Sequence, residues 1–118
     1  MAETRNLQVD QYGKLEFTVA VLVAGVAKPL TGWTAKMQIR TKKLSATVLA
    51  EYTTEDGTIS INGALGEVLV DVPGARTAEL NVTSGVYDLY VIDGTGEPFR
   101  IMEGNVLISL STTRPVGA

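Results

Sequence analysis

Trp33-Thr34-Ala35-Lys36-Met37-Gln38-Ile39-Arg40 alternates apolar and polar side chains without a slip. That is the period of a strand with one face buried and one face wet. Upstream, Leu15, Phe17, Val19, Val21 and Val23 occupy alternate positions and predict a second, long strand, with Ala24-Gly25 and Pro29-Leu30-Thr31-Gly32 as punctuation between the two. Trp33, opening an alternating run, is expected in the core.

Downstream the same period recurs in short runs. Residues 41–46 read as a polar connection and residues 47–53 as a strand, with Val48 and Tyr52 on one face and Leu49 on the other. Glu55-Asp56-Gly57 carries a hairpin-turn signal, residues 58–61 form a short β-branched strand closed by Asn62-Gly63, and residues 66–72 alternate through Val68, Val70 and Val72. Residues 73–80 break the pattern, and Ala75, Arg76, Ala78, Glu79 and Leu80 suit one helical turn crossing between sheets. Ser84-Gly85 opens a strand over 86–93 with Tyr87, Leu89 and Val91 inward, and Asp93-Gly94-Thr95-Gly96 is another turn. In the last strand, 98–110, the inward set shifts from Phe99 and Ile101 to Val106, Ile108 and Leu110. Period two changes phase only through an inserted residue, so a β-bulge is expected near Gly104. Seven to eight short strands at this spacing, with one short helical turn, predict an all-β, antiparallel sandwich.

The chain has 118 residues, which is one domain over 1–118, with ends at 1–6 and 112–118 expected to be loosely ordered or docked on a partner. Its 45% hydrophobic content fits a globular core rather than disorder. Its apolar runs are too short to cross a bilayer, and Met-Ala-Glu-Thr-Arg-Asn has no apolar signal region, so synthesis in a cytosol without export is expected. Net charge is −3, and the densest basic stretch, Arg40, Lys42 and Lys43, sits beside an expected turn. A solvated loop accounts for it, so neither nucleic acid nor membrane is expected as a partner. There is no Cys, so no disulfide braces the fold.

Chemistry-bearing residues are scarce. With neither His nor Cys, the familiar triads and the common zinc sites are excluded. No nucleophile-elbow pattern surrounds a serine. Glu55 and Asp56 sit in a turn, and Asp71 and Asp88 fall on solvent faces of strands, so no acid–base pair is expected. Asp93-Gly94-Thr95-Gly96-Glu97 lacks the oxygen set of a calcium loop, and no helix follows Gly94 and Gly96 to cradle a phosphate. Asn81-Val82-Thr83 spells a glycosylation sequon, which has no meaning without export. The expectation is a non-enzymatic protein with no catalytic residue, cofactor or metal. Tyr87, just after Ser84-Gly85-Val86, stands where a tyrosine corner would bond back to the chain upstream; a merely half-buried tyrosine is the alternative.

If Tyr87, Leu89 and Val91 point inward, Tyr90 and Ile92 point out. By the same phase Met102 faces out, as do Leu22 and Leu69 on their own strands. Leu22, Leu69, Tyr90, Ile92 and Met102 are therefore the candidate subunit-interface residues, since an apolar patch on a wet sheet face marks a contact. The alternative is that loops or the N-terminal segment cover them.

The segments Pro29-Leu30-Thr31-Gly32-Trp33-Thr34-Ala35-Lys36-Met37-Gln38-Ile39-Arg40, Thr53-Thr54-Glu55-Asp56-Gly57-Thr58-Ile59, Gly85-Val86-Tyr87-Asp88-Leu89 and Arg100-Ile101-Met102-Glu103-Gly104-Asn105-Val106 occur in this order. They resemble segments of small phage and prophage structural proteins, themselves similar to the N-terminal domain of phage upper baseplate proteins. The resemblance runs from about Pro29 to Thr113 and rests on turn-and-strand patterns. It implies an immunoglobulin-like sandwich and a virion component of a tailed phage, a tail or baseplate subunit whose partners are other virion proteins or a second copy of itself. It transfers no catalytic residue. Upper baseplate proteins continue into a long receptor-binding region, whereas this sequence stops just after Thr113-Arg114-Pro115, so an adaptor, decoration or docking base is expected rather than a whole receptor-binding device. The alternatives are a capsid decoration or head-fibre base protein, and a carbohydrate-binding module that recognises the host surface.

Overall fold

A computed structural model describes residues 3–23 and 25–111. The strands are β1 (Glu3–Thr4), β2 (Leu7–Asp10), β3 (Leu15–Ala20), β4 (Leu22–Val23), β5 (Val26–Ala27), β6 (Thr34–Arg40), β7 (Ala50–Thr53), β8 (Ile59–Asn62), β9 (Glu67–Val72), β10 (Ser84–Ile92) and β11 (Pro98–Ser109), with one helical turn, α1 (Gly74–Thr77). A front sheet runs β1-β11-β10-β6-β7, with β2 also on β11; a back sheet runs β3-β9-β8; β4 and β5 form a separate small hairpin. The chain is an all-β sandwich. Met37, Ile39 and Leu89 from the front sheet and Val68, Val70 and Val72 from the back meet in one fully buried cluster, joined by Leu30 and Leu80 from connections. Each such side chain contributes about 1.5–3 kcal/mol through burial.

The alternating stretch lies where its period puts it. Ala35, Met37 and Ile39 are buried, while Thr34, Lys36, Gln38 and Arg40 hold the other face of β6. The helical turn also lies as expected, carrying the chain from β9 in the back sheet to β10 in the front, and the Thr77 hydroxyl donates to the Gly13 carbonyl at 2.7 Å to pin it.

Several expectations are corrected. Two of the strand pairings are parallel: β1 and β2 both run alongside β11 in its own direction. Residues 3–6 are therefore tied down rather than loose, with the Arg5 N–H donating to the Glu103 carbonyl at 2.9 Å; Met1, Ala2 and residues 112–118 lie outside the described residues. The strand count reaches eleven among the described residues because β1, β4 and β5 are two-residue pieces. Glu55-Asp56-Gly57 is not a hairpin, since β7 belongs to the front sheet and β8 to the back. The turn chemistry serves a crossover instead, in which the Asp56 carboxylate accepts from the Thr58 N–H at 2.9 Å and from Arg76 at 3.3 Å. Burial raises the Asp56 carboxyl, but its hydrogen bonds from Thr58, Thr53 and Arg76 outweigh that and hold it below the usual carboxylate range.

The last strand holds the most consequential correction. Leu89 pairs with Met102 and Tyr90 with Arg100, so the extra residue is Ile101, not one near Gly104. The phase changes before Met102, which turns inward and is fully buried. Gly104 serves closeness: a Cβ there would collide with the Arg5 carbonyl oxygen. Tyr87 reaches the same oxygen, donating its hydroxyl to it at 2.5 Å. The tyrosine does bond back to the chain, but 82 residues upstream rather than across a local corner. Leu110 lies beyond β11 and is exposed, and Val23 is exposed on the β4–β5 hairpin, so neither belongs to the inward sets.

Candidate interaction surface

The turn at Thr31-Gly32, with Gly32 at φ +83, delivers Trp33 to the start of β6, where its N–H donates to the Leu30 carbonyl at 3.0 Å. The ring is not enclosed in the core. It lies half-buried at one end of the sandwich, stacked on Phe99 with centroids 5.8 Å apart, and the Lys28 ammonium sits 5.4 Å from its centre. Phe99 keeps the inward phase, opposite Val91, but this end of the sandwich is open and the ring is 45% exposed.

Together these side chains wall a groove of about 410 Å³ between the β3–β4 segment of the back and the β1 and β11 segments of the front. Val19, Val21, Val91 and Ile101 contribute apolar surface, and Glu3 and Lys28 bring charge to its walls. Beside it the β4–β5 hairpin leaves Leu22 at 57%, Val23 at 57% and Val26 at 68% exposure. Groove and hairpin form a contiguous apolar end, which in soluble proteins marks an interaction site.

The five candidate interface residues divide among four places. Leu22 lies at this apolar end. Tyr90 and Ile92 are half-buried on the outer face of the front sheet, beside Lys36, Gln38 and Asp88. There the Arg100 guanidinium stacks 5.7 Å from the Tyr90 ring centre and also pairs with Glu103 at 3.3 Å, while Lys43 reaches Glu103 at 3.0 Å, so the face is a polar network more than an apolar patch. Leu69 sits on the opposite outer face, paired with Thr18 and Ser60, well away from Tyr90. Met102 is in the core and is no surface residue.

Sequence reasoning missed Trp33, Phe99, Val23 and Val26 as surface residues. The available signal was the run from Val19 to Val23 resumed at Val26-Ala27, more apolar than one buried face requires. Among the described residues no three acidic side chains converge to hold a metal ion, and no helix is long and apolar enough to cross a membrane.

Fold and surface define a small β-sandwich with a contiguous apolar end. No protein-family model matches the chain, and no curated protein matches it. Among solved structures it is similar to the N-terminal domain of phage TP901-1 ORF48, with a TM-score of 0.55 at 9% sequence identity, over 87% of this chain and 83% of that one. The similarity is one of fold.

Proposed function

We propose that the protein is a non-enzymatic structural component of a tailed-phage virion, a tail or baseplate subunit that works through protein–protein contacts. The observation that carries this is the apolar end: an open groove walled by Trp33 and Phe99 next to an exposed Leu22–Val23–Val26 hairpin. A lone soluble subunit has little reason to keep such a surface wet, whereas an assembly covers it. Two lines support the phage setting, the ordered sequence resemblance and the fold similarity to a phage protein domain. The immunoglobulin-like reading draws support from strand order, since a three-stranded β3-β9-β8 sheet faces the β11-β10-β6 core of the other, the partition of a seven-strand immunoglobulin sandwich without its first strand.

The carbohydrate-binding alternative draws less support, because the single Trp is already engaged by Phe99 and Lys28. The test is mass spectrometry and antibody labelling of purified particles from cells that make the protein. Stoichiometric recovery in particles, with labels on the tail, is the expected result. Particles that assemble and infect normally without the chain would overturn the proposal, and labels on the head would move it to the capsid-decoration alternative.

A further inference from the structure

The back sheet has an edge that no other described strand pairs with. The Val21 N–H donates to the Gly66 carbonyl at 2.8 Å, and the Asp71 N–H to the Thr58 carbonyl at 2.7 Å. These two bonds fix the ladder phase. Odd-numbered residues of β3 exchange hydrogen bonds with β9, and even-numbered ones direct their N–H and C=O groups away from it. The Lys28 N–H donates to the Val21 carbonyl at 2.9 Å, which places β5 on the β9 side as well. The main-chain groups of Glu16, Thr18, Ala20 and Leu22 therefore form one continuous outward row, and all four residues are exposed. Among the described residues no backbone hydrogen bond reaches this row.

The reason lies at the N-terminus. β1 and β2, which precede β3 in the chain, pair with β11 across the sandwich and leave β3 uncovered. Of the usual edge defences the β3–β4 edge carries one charged residue, Glu16, and it has no proline, no bulge and no inward charge. The free edges of β7 and β8 are four-residue strands, too short to compete.

We infer that two copies of this chain pair antiparallel along residues 15–23 about a two-fold axis, joining their back sheets into one. The sequence is self-complementary in that register. With Val19 on the axis, Glu16 of one copy faces Leu22 of the other and Thr18 faces Ala20, so no like charges meet. On the other face of the paired strands Phe17 faces Val21 and Leu15 faces Val23. Leu22 and Val23, each 57% exposed in the single chain, become covered. Such a contact is isologous and closes at a dimer. The pairing does not depend on the chain's belonging to a virion.

The experiment uses the full chain at concentrations from about 1 µM to 500 µM, a span that brackets weak one-strand interfaces. Sedimentation is expected to show a reversible monomer–dimer equilibrium. The chain has no cysteine, so a single introduced thiol reports on a copy of itself. Val19→Cys sits where cross-strand Cα atoms approach to about 4.5 Å, within disulfide range, and is expected to oxidise to a covalent dimer, while Ser60→Cys on β8 is not. Thr18→Pro removes an N–H that makes no bond to any described residue and is expected to weaken dimerisation at least about tenfold with the circular dichroism spectrum unchanged. Where that variant does not fold, Thr18→Lys with Ala20→Lys sets ammonium groups opposite one another and is expected to do the same. A monomer at every concentration overturns the inference. So does a dimer indifferent to the lysine pair, or one that cross-links through Ser60→Cys and not Val19→Cys.

Discussion

The two sheets end side by side at the groove, and their edges are treated in opposite ways. On the front sheet the edge strand β11 is covered by β1 and β2, with the chain between them held by three bonds. The Arg5 N–H donates to Glu103, the Tyr87 hydroxyl donates to the Arg5 carbonyl, and the Asn105 N–H donates to the Asn6 side chain at 3.1 Å. On the back sheet β3 continues into β4 with its outward row bare. One N-terminal segment covers one edge, and the other stays available. Closing an edge therefore takes residues placed with care, such as Gly104 and Tyr87, whereas the open edge makes no such demand.

The largest expected effect separates Met102 from Leu22. Met102 pairs with both Glu3 and Leu89 and is fully buried, so Met102→Ala is expected to lose about 2–5 kcal/mol. Leu22→Ala on the open edge is expected to stay within about 0.5 kcal/mol. Denaturant unfolding of both variants decides it; equal losses would mean that the β4–β5 hairpin is part of the cooperative core after all.

Next comes Gly104→Ala. Its Cβ meets the Arg5 carbonyl, an immobile main-chain atom in a paired segment, so about 1–3 kcal/mol is expected, with faster hydrogen exchange at residues 3–10. Exchange that stays slow there would show that the N-terminal strands do not depend on that close approach.

Much of this contrast was hidden in the sequence for physical reasons. The core was legible wherever one strand keeps one phase, as in Ala35-Met37-Ile39 or Val68-Val70-Val72, because burial on one face forces period two. It was misread at the end of the chain, where Phe99, Ile101 and Met102 are all apolar and composition alone cannot say which is the inserted residue. Gly104 drew the bulge assignment because glycine often marks one. Its actual role depends on Arg5, a partner that only the folded topology supplies. The apolar end was likewise illegible. Trp33 and Phe99 carry inward phase, and that they sit where the sandwich gapes is a property of how the two sheets meet. Parallel pairing of the N-terminus with the last strand leaves no local mark at all.

Smaller effects come from two buried tyrosines. Tyr87 donates to Arg5, whereas the Tyr52 hydroxyl is fully buried with no hydrogen-bond partner among the described residues and only the Arg76 guanidinium over its ring, 5.4 Å from the centre. Tyr87→Phe strands the Arg5 carbonyl and is expected to lose about 0.5–1.5 kcal/mol, loosening residues 3–6. Tyr52→Phe removes an unsatisfied group and is expected to be neutral or slightly stabilising. Thermal unfolding of the two variants checks the difference, and a loss for Tyr52→Phe as large as for Tyr87→Phe would erase it.

The same pair predicts the alkaline limit of the fold. Burial pushes both phenols up to about 12, opposed by Arg76 at Tyr52 and by Arg5 at Tyr87. In the unfolded chain a tyrosine ionises near pH 10. Between about pH 10 and 12 the unfolded state therefore releases these protons while the folded state keeps them, and stability falls as pH rises through that window. Below pH 10 neither form ionises, and the two groups contribute no slope. Phenolate absorbance of the folded protein is expected to lag that of the unfolded chain, and urea midpoints to drop across the window. Each Tyr→Phe change should flatten part of the drop, from a lowered neutral-pH baseline for Tyr87→Phe and an unlowered one for Tyr52→Phe. A drop unchanged in both variants would place the alkaline sensitivity in other groups and leave Tyr87 only its bond to the covered edge.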